Sequence, residues 1–574
     1  MPTDQRSAPP PWVTLVDLLE GCAQATPDQG LIYLADGEHQ EVRLSYRALQ
    51  QQAKALAATL QQRFQPGDRA VLLFGEGLDL VTAFFGTLYA GMAVVLLTPP
   101  RPGQPVDDLT SLMTDAQPSV LLTTAGLHPF LQPLLAAAFN SALPVVTTDA
   151  ADHPDPSQWQ SPALASEDLA ALLYTSGSTS QPRGVKMTHG QLMLRLRGLA
   201  DILRDVDTAG FSVNWLPMQH LSGLFGSVLQ PMYMNVQPVV LPASKVIAKP
   251  VRWLEAMTRF GAASSGAPNF AFQMCLDRIR PEECQDLDLS RWNIAITGAE
   301  MVRSETLEQF AHTYAPFGFR RQAYHTTYGL SEAQATFDIR DNANRPSTLH
   351  IDTDALEQGQ VIEVGAGNGR VLVGCGQTLP GQEVIIVDAE TRQLMPPTHV
   401  GEIWIRGPQV ADGYWQQPEA TQQTFQAHLS DGTGPYLRSG DMGFFHGQDL
   451  YITGRLKEMV IIRGKNFYAV DLELAAEKAH PALLPASSAA FSIPVNGEEQ
   501  LVLIHEVRAG QTNMDVGKIS SAVRRLIGEH YALPVHSVVV VEAGSIPRTG
   551  SGKIRRAHAR TLFLAELEGA ASGE

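Results

Sequence analysis

Residues Leu172 to His189 read LLYTSGSTSQPRGVKMTH, a short apolar run followed by alternating hydroxyl residues and glycines, a proline and two cations. A glycine and hydroxyl loop placed after a buried strand offers backbone N–H groups and side-chain O–H donors to an anion, and Arg183 and Lys186 add positive charge. Such a set suits a polyphosphate. Taken alone, TSGSTS reads equally well as a polar surface loop. The other common phosphate cradle, GxxxxGK[ST], does not occur: Lys553 lies in SGKI, and Pro547 stands where that motif would need its first glycine.

The elements that must position such a loop follow from apolar periodicity. DRAVLLFG (Asp68 to Gly75), AVVLLTPP (Ala93 to Pro100) and PSVLLTT (Pro118 to Thr124) are short β-rich runs bounded by glycine, proline and polar residues. Between them LSYRALQQQAKALAATLQQRF and LDLVTAFFGTLYAG carry helical spacing, and this alternation predicts a largely parallel sheet with helices outside it. Farther on, QEVIIVDAETRQL, GEIWIRG and DLYITGR predict strands of a smaller antiparallel unit. After Arg455 the pattern changes to MVIIRG, AAFSIPV and LVLIHEV with helices between and after them. No internal repeat is found.

Composition narrows the partners. A chain of 574 residues is too long for one hydrophobic core and predicts at least two domains. With 44% hydrophobic and 18% charged residues it has the make-up of a globular protein. No apolar run approaches the roughly 20 residues needed to span a bilayer, and MPTDQRSAPPPW has neither a basic leader nor a hydrophobic segment, so a cytoplasmic chain without a membrane span is expected. Cys22, Cys275, Cys284 and Cys375 lack metal-site spacing and are expected to be free, mostly buried thiols. A net charge of -17 argues against nucleic acid as a partner.

Five motifs, in order, resemble those of the adenylate-forming superfamily, which includes acyl-CoA synthetases, luciferases and adenylation domains. YTSGSTSQPRGV is similar to its phosphate-binding loop, YGLSE (Tyr328 to Glu332) to its adenine and magnesium segment, and YLRSGDMGFF with Asp441 to its ribose-binding segment. GRLKEMVIIRG (Gly454 to Gly464) resembles the interdomain hinge, and IPRTGSGKIRR (Ile546 to Arg556) the terminal catalytic-lysine loop. Within the superfamily, FFGTLYAGMAVVLLTPPRP, SSGAPNFAFQMC, TGAEMVRSETLEQF, IRGPQVADGYWQQPEAT and VIIRGKNFYAVDLE resemble the fatty acyl-AMP ligases. So does the long connection from Glu332 to Gly376, at the place of an insertion that typical acyl-CoA synthetases lack. In that family the insertion is associated with releasing or transferring acyl-adenylate without making acyl-CoA.

The resemblance implies an α/β fold: an N-terminal adenylation domain, residues 1–454, of two α/β subdomains and a β-rich subdomain, then a small mobile α+β domain, residues 455–574. It implies ATP and Mg²⁺. A carboxylate would attack the α-phosphate of ATP, pyrophosphate would leave, and the charge on the phosphoryl oxygens would have to be offset. Thr175, Ser176, Gly177, Ser178 and Thr179 would hold the β and γ phosphates. Tyr328 with Gly329 would meet adenine, Tyr328 by stacking, and Gly298, Ala299 and Glu300 would line the other side of the base. Asp441 would accept from both ribose hydroxyls, Arg455 would add contacts to ribose or phosphate, and Glu332 would carry the metal. Taken alone, Glu332 would read as a helix N-terminal acid. Lys553 would swing in to meet the α-phosphate and the carboxylate, and Lys457 matches the hinge position.

The acyl side is less determined. His220, in NWLPMQHLSGLFGS, falls at the expected substrate position and is placed with Lys553 and Glu332 among the catalytic residues. The family commonly has HDMG there, whereas this chain has Leu221 in place of the acid. Ser180 and Arg183 stand where many members have glycine and lysine. Phe270 and Phe272 are candidates for an apolar tunnel. A medium or long fatty acid is the first choice, with hydroxylated, amino and aryl acids left open. The acyl group is expected to pass to an acyl carrier protein for polyketide, nonribosomal peptide or lipid biosynthesis, the carrier being separate or part of a longer polypeptide. The alternatives are an acyl-CoA synthetase and a non-catalytic nucleotide- or acyl-binding scaffold.

Overall fold

A computed structural model describes residues 12–100, 107–138, 143–150, 153–174, 182–204, 206–338, 345–463, 465–495, 498–508, 515–548 and 554–571. Two large sheets form the N-terminal half. The six-stranded sheet runs, from one edge to the other, Val145–Thr147, Val120–Thr123, Arg69–Leu73, Ala93–Leu97, Leu169–Tyr174 and Gly184–Thr188. Its first five strands pair in parallel and the last is antiparallel, so Leu169–Tyr174 and Gly184–Thr188 make a hairpin around the phosphate-loop motif. The three runs expected to be strands, at 69–73, 93–97 and 120–123, are the centre of this sheet, and they are buried throughout except at Arg69. Central parallel strands covered on both faces are expected to read as continuous apolar runs, as these do.

The second sheet has nine strands, with Phe211–Asn214, Ser264–Gly266, Ile294–Gly298 and Tyr324–Gly329 as a parallel series near its middle. Ligands of open α/β sheets bind beyond the carboxyl ends of such strands. The TGAE and YGLSE motifs stand at the ends of two neighbours, with Gly298 directly opposite Thr327. Helices start where local chemistry allows. His189–Ile202 opens on a capping box of Thr188 and Gln191, and Leu15–Ala25 on one of Thr14 and Asp17.

A four-stranded antiparallel sheet, Glu383–Val387, Gly401–Arg406, Leu437–His446 and Asp449–Arg455, matches the expected β-rich unit. Beyond it lies a three-stranded sheet of Leu483–Val495, Glu498–Val507 and Val535–Glu542, packed by Ala469–Glu477, Val516–Tyr531 and Arg556–Ala571. Its two apolar clusters draw only on residues after Met459. The four cysteines are free and buried, as expected. No helix among the described residues is long and apolar enough to cross a membrane.

Candidate active site

The ribose motif is held by its own strand and by its neighbours. In the hairpin of Leu437–His446 and Asp449–Arg455, Asp441 lies directly opposite Arg455, whose Nε donates to Oδ1 at 2.9 Å. The Tyr328 hydroxyl donates to the other oxygen, Oδ2, at 2.8 Å. Asp441 is 6% exposed and Tyr328 8%. Burial, then the Asp441 charge, pushes the Tyr328 phenol far above its usual range, so it stays a donor at any physiological pH. Gly440 takes a φ of +71°, and the Ser439 hydroxyl accepts the Asp441 N–H at 3.0 Å, which fixes the turn into the aspartate. A carboxylate offers about four lone-pair sites, so two donors leave room for two more.

Glu332 stands on the turn between Tyr324–Gly329 and Gln334–Phe337, not at a helix start, and is buried. Its Oε1 accepts from the Tyr414 hydroxyl at 3.0 Å. Burial raises its carboxyl above the usual range, while its own backbone N–H, the Tyr414 hydroxyl, Arg455 and Arg195 pull it down. Arg195, from the helix His189–Ile202, is 6% exposed and donates to the carbonyls of Ser331 at 3.0 Å and Gln409 at 3.1 Å, bracing the Glu332 turn from behind. Arg455 thus bears on both carboxylates.

The segment 409–415, QVADGYW, ties this turn to the phosphate-loop hairpin. Ala411 N–H bonds the Glu332 carbonyl at 2.8 Å, Lys186 N–H bonds the Gly413 carbonyl at 2.9 Å, and Trp415 N–H bonds the Gly184 carbonyl at 2.7 Å. The Arg183 guanidinium lies over the Tyr414 ring at 5.2 Å. Thr175, Ser176, Gly177, Ser178, Thr179 and Ser180 lie outside the described residues, but the ends of their segment are fixed, since Tyr174 pairs with Gly184 and bonds Asp115 at 2.6 Å.

On the other side, Gly298 packs so closely that a Cβ there would sit 2.4 Å from the Thr327 carbonyl oxygen. Ala299 follows in the left-handed region at φ +64°. Glu300 accepts the Phe270 N–H at 2.7 Å, at the start of the helix Asn269–Arg278. Phe270 faces Trp215 edge-on with centroids 6.3 Å apart, and Phe272 is wholly buried among Trp253, Trp292, Phe310 and Tyr324. Phe272 is therefore core. His220 sits on the turn after the strand Phe211–Asn214. Its N–H bonds the Pro217 carbonyl at 3.1 Å, and next to it Gln219 donates to the carbonyls of Phe74 and Gly75, across to the first sheet. Lys457 is exposed on the short turn Leu456–Glu458, and Lys553 lies outside the described residues.

Three contact sets therefore emerge: Tyr328, Asp441 and Arg455; Glu332 with Tyr414; and Glu300 with Phe270. Sequence reasoning missed Tyr414 and Arg195. Nothing local in ADGYW marks a tyrosine as the partner of an acid 82 residues away.

The connection from Glu332 to Gly376 forms the strand pair Thr348–Ile351 and Arg370–Val373 with a short helix, Thr353–Glu357. It packs Leu349, Ile351, Leu356 and Leu372 against Phe444, Tyr451 and Tyr468. Ion pairs run from it into the chain beyond Lys457: Arg370 to Asp471 at 2.9 Å and Glu357 to Lys465 at 2.9 Å.

The sheets and the placement of the motifs at strand ends define an adenylate-forming enzyme. A model of the AMP-binding enzyme family matches residues 19–415. The chain is 36% identical over 568 residues to a medium-chain-fatty-acid–[acyl-carrier-protein] ligase, JamA, of Moorena producens, covering 97% of this chain and 96% of that one. It is 35% identical to a long-chain-fatty-acid–AMP ligase of Mycolicibacterium smegmatis, covering 89% and 87%. A solved fatty acyl-adenylate ligase of L. pneumophila, in complex with acyl adenylate and pyrophosphate, superposes with a TM-score of 0.75 at 35% identity over 96% of each chain. The protein belongs to the AMP-binding enzyme family, among the fatty-acid AMP ligases.

Proposed function

We propose that the protein activates a medium or long fatty acid with ATP and hands the acyl group to the phosphopantetheine thiol of an acyl carrier protein. The observation that carries this reading is Asp441 held between Tyr328 and Arg455, with Glu332 under the same Arg455 charge. The carboxylate oxygen attacks the α-phosphorus of ATP, the bond to the β-phosphate bridge oxygen breaks, and pyrophosphate leaves. The carrier's sulfur then attacks the acyl carbon, and AMP leaves. Asp441 accepts from the ribose hydroxyls on its two remaining lone-pair sites. Tyr328, Gly329, Gly298, Ala299 and Glu300 surround adenine, and Arg455 reaches ribose or phosphate. The hydroxyl loop from Thr175 to Thr179 holds the outer phosphates, with Arg183 behind it on the Tyr414 ring.

Glu332 fits a Mg²⁺ ligand, because it is a buried carboxylate whose Oε1 accepts from the Tyr414 hydroxyl. No group of three or more His, Cys, Asp or Glu among the described residues could hold a metal. A cation shared between one carboxylate and substrate phosphates is the usual way Mg²⁺ is bound. When bound it would offset phosphoryl charge. Lys553 completes the adenylation site, His220 and Phe270 border the acyl group, and Lys457 lies at the hinge between domains 1–454 and 455–574. Two separate apolar clusters after Met459 support that division. The ion pairs from the 332–376 connection to Asp471 and Lys465 support a restrained C-terminal domain and hence transfer without CoA. Four buried free thiols support a cytoplasmic location.

Pyrophosphate release measured with a panel of carboxylic acids tests the first half-reaction. Release that requires ATP and a fatty acid is expected; release with amino or aryl acids alone would overturn the substrate assignment.

A further inference from the structure

Ser331 and Glu332 form the two-residue tip of the hairpin between Tyr324–Gly329 and Gln334–Phe337, which Leu330 and Ala333 close by exchanging N–H to carbonyl bonds at 2.8 and 3.1 Å. The pairing shifts register between Tyr328 and Gly329, so the regular ladder stops short of the tip. Bonds from outside the hairpin hold it. The Glu332 carbonyl accepts the Ala411 N–H at 2.8 Å, and the Ser331 carbonyl accepts from a terminal nitrogen of Arg195 at 3.0 Å. The same nitrogen donates to the Gln409 carbonyl at 3.1 Å, and Arg195 Nε reaches that oxygen at 3.3 Å.

Arg195 belongs to a helix face that receives the start of the 409–415 segment. On His189–Ile202, Gln191 lies one turn before Arg195 and donates to the Val410 carbonyl at 3.0 Å and to Asp412 at 2.7 Å. Gly198, three residues after Arg195, leaves room for the Gln409 side chain, whose amide nitrogen would lie 2.9 Å from a Cβ there. Gln191 and Gly198 dock that segment, whereas Arg195 reaches on to the Glu332 tip as well. Its guanidinium is 6% exposed, and among the described residues it bonds only backbone carbonyls. Burial lowers its pKa to about 10 while the Glu332 charge opposes that fall, so it stays a cation at neutral pH. A buried cation with no carboxylate bonded to it is costly, and an apolar side chain of similar volume would fill the space, so stability does not account for it.

We propose that Arg195 is a positioning residue for the Glu332 carboxylate: by gripping the Ser331 and Gln409 carbonyls together, it fixes the Glu332 tip against the segment whose Tyr414 hydroxyl meets Glu332 Oε1. This rests on the reading of Glu332 as the Mg²⁺ ligand. Groups that orient a metal ligand from behind are typically worth about 10- to 100-fold in metal affinity. Charge and position act with opposite signs here. A positive charge behind the carboxylate weakens its hold on a cation, so removing that charge would by itself tighten cation binding. A loss of cation affinity on removing Arg195 therefore reports position.

The test uses the full chain with Mn²⁺ as the probe cation, its affinity read by electron paramagnetic resonance in the presence of a non-hydrolysable ATP analogue. AMP affinity without metal is read separately by calorimetry. For Arg195→Met, which keeps the bulk and removes the donors, Mn²⁺ affinity should fall about 10- to 100-fold while AMP affinity stays at the native value. Arg195→Lys, which keeps the charge and loses the fork, should recover only part of the loss. In a Tyr414→Phe background Arg195→Met should cost less than it does alone, because both substitutions act on the placement of Glu332. Unchanged or tighter Mn²⁺ binding, an equal cost in both backgrounds, or a parallel fall in AMP affinity would overturn the proposal in favour of a plain structural role. If Glu332→Gln leaves Mn²⁺ affinity at the native value, the metal reading fails and the positioning role falls with it. Should Arg195→Met lower the melting temperature too far to assay, Arg195→Lys goes through the same comparison, with weaker Mn²⁺ binding expected and native binding overturning the proposal.

Discussion

Asp441 receives a neutral donor and a cationic one, and the two should be separable. Tyr328→Phe removes a hydroxyl bond to a charged carboxylate, worth about 1.5–3 kcal/mol, and leaves Arg455 in place, so the KM for ATP should rise roughly 10- to 150-fold. Asp441→Asn removes the charge that faces Arg455 and, in the proposed site, would face the ribose, and a charge-assisted bond of about 1.5–3 kcal/mol predicts roughly a 10- to 150-fold loss in kcat/KM for ATP. Steady-state kinetics over ATP concentration check both. For Glu332 the prediction concerns pH. The Tyr414 hydroxyl lowers a carboxyl that burial has raised, so Tyr414→Phe should let it rise farther. If Glu332 carries the cation as proposed, its ionised form would bind it, and the acid limb of the pH–rate profile should move to higher pH in the variant; an unmoved limb would exclude Glu332 as the titrating group. At this scale the sequence was informative where a motif names its own residue, as SGD names Asp441. It was silent where the partner is remote: Tyr328 and Asp441 are 113 residues apart, and no local pattern records their meeting.

Strand ends set the site, and the close approach at Gly298 is where that can be probed. A Cβ at this position would lie 2.4 Å from the Thr327 carbonyl oxygen, a backbone atom that cannot turn aside. Gly298→Ala should therefore push the strands Ile294–Gly298 and Tyr324–Gly329 apart, destabilise the protein by about 1–3 kcal/mol, and move Tyr328 away from Asp441. Thermal unfolding and the KM for ATP should change together; a variant with native stability and native KM would show that the register here is not what holds the site. Most elements were legible because their apolar runs have a clean period, and the central strands at 69–73, 93–97 and 120–123 fall where those runs lie. The exception is the 409–415 segment. It has no period, and its bonds to Glu332, Lys186 and Gly184 are made by backbone groups of an irregular chain, which sequence patterns do not encode.

Across the whole molecule, the connection from Glu332 to Gly376 reaches past Lys457 and fastens the segment that follows it. Arg370 donates to the Thr453 carbonyl, lies over the Tyr468 ring at 4.8 Å and pairs with Asp471. Burial raises the Asp471 carboxyl to about 6 from an ordinary 3.8, against the pull of Arg370. A carboxyl raised in the folded state contributes stability that is complete below the unfolded value of 3.8 and is lost as pH rises through about 6. Asp471→Asn should remove that loss, so the difference in melting temperature between variant and native protein should grow in the variant's favour from pH 4 to pH 7; a constant difference would contradict the assignment. The likeness of this connection to a family insertion could be seen in the sequence, whereas its ion pairs to Asp471 and Lys465 depend on packing between distant segments. The measurement that bears most directly on the central claim is mass spectrometry of the products formed from ATP, Mg²⁺, CoA and a mixture of fatty acids. Acyl-AMP without acyl-CoA is the predicted result, and its acyl group would identify the preferred chain; abundant acyl-CoA would contradict the account and make the protein a CoA synthetase.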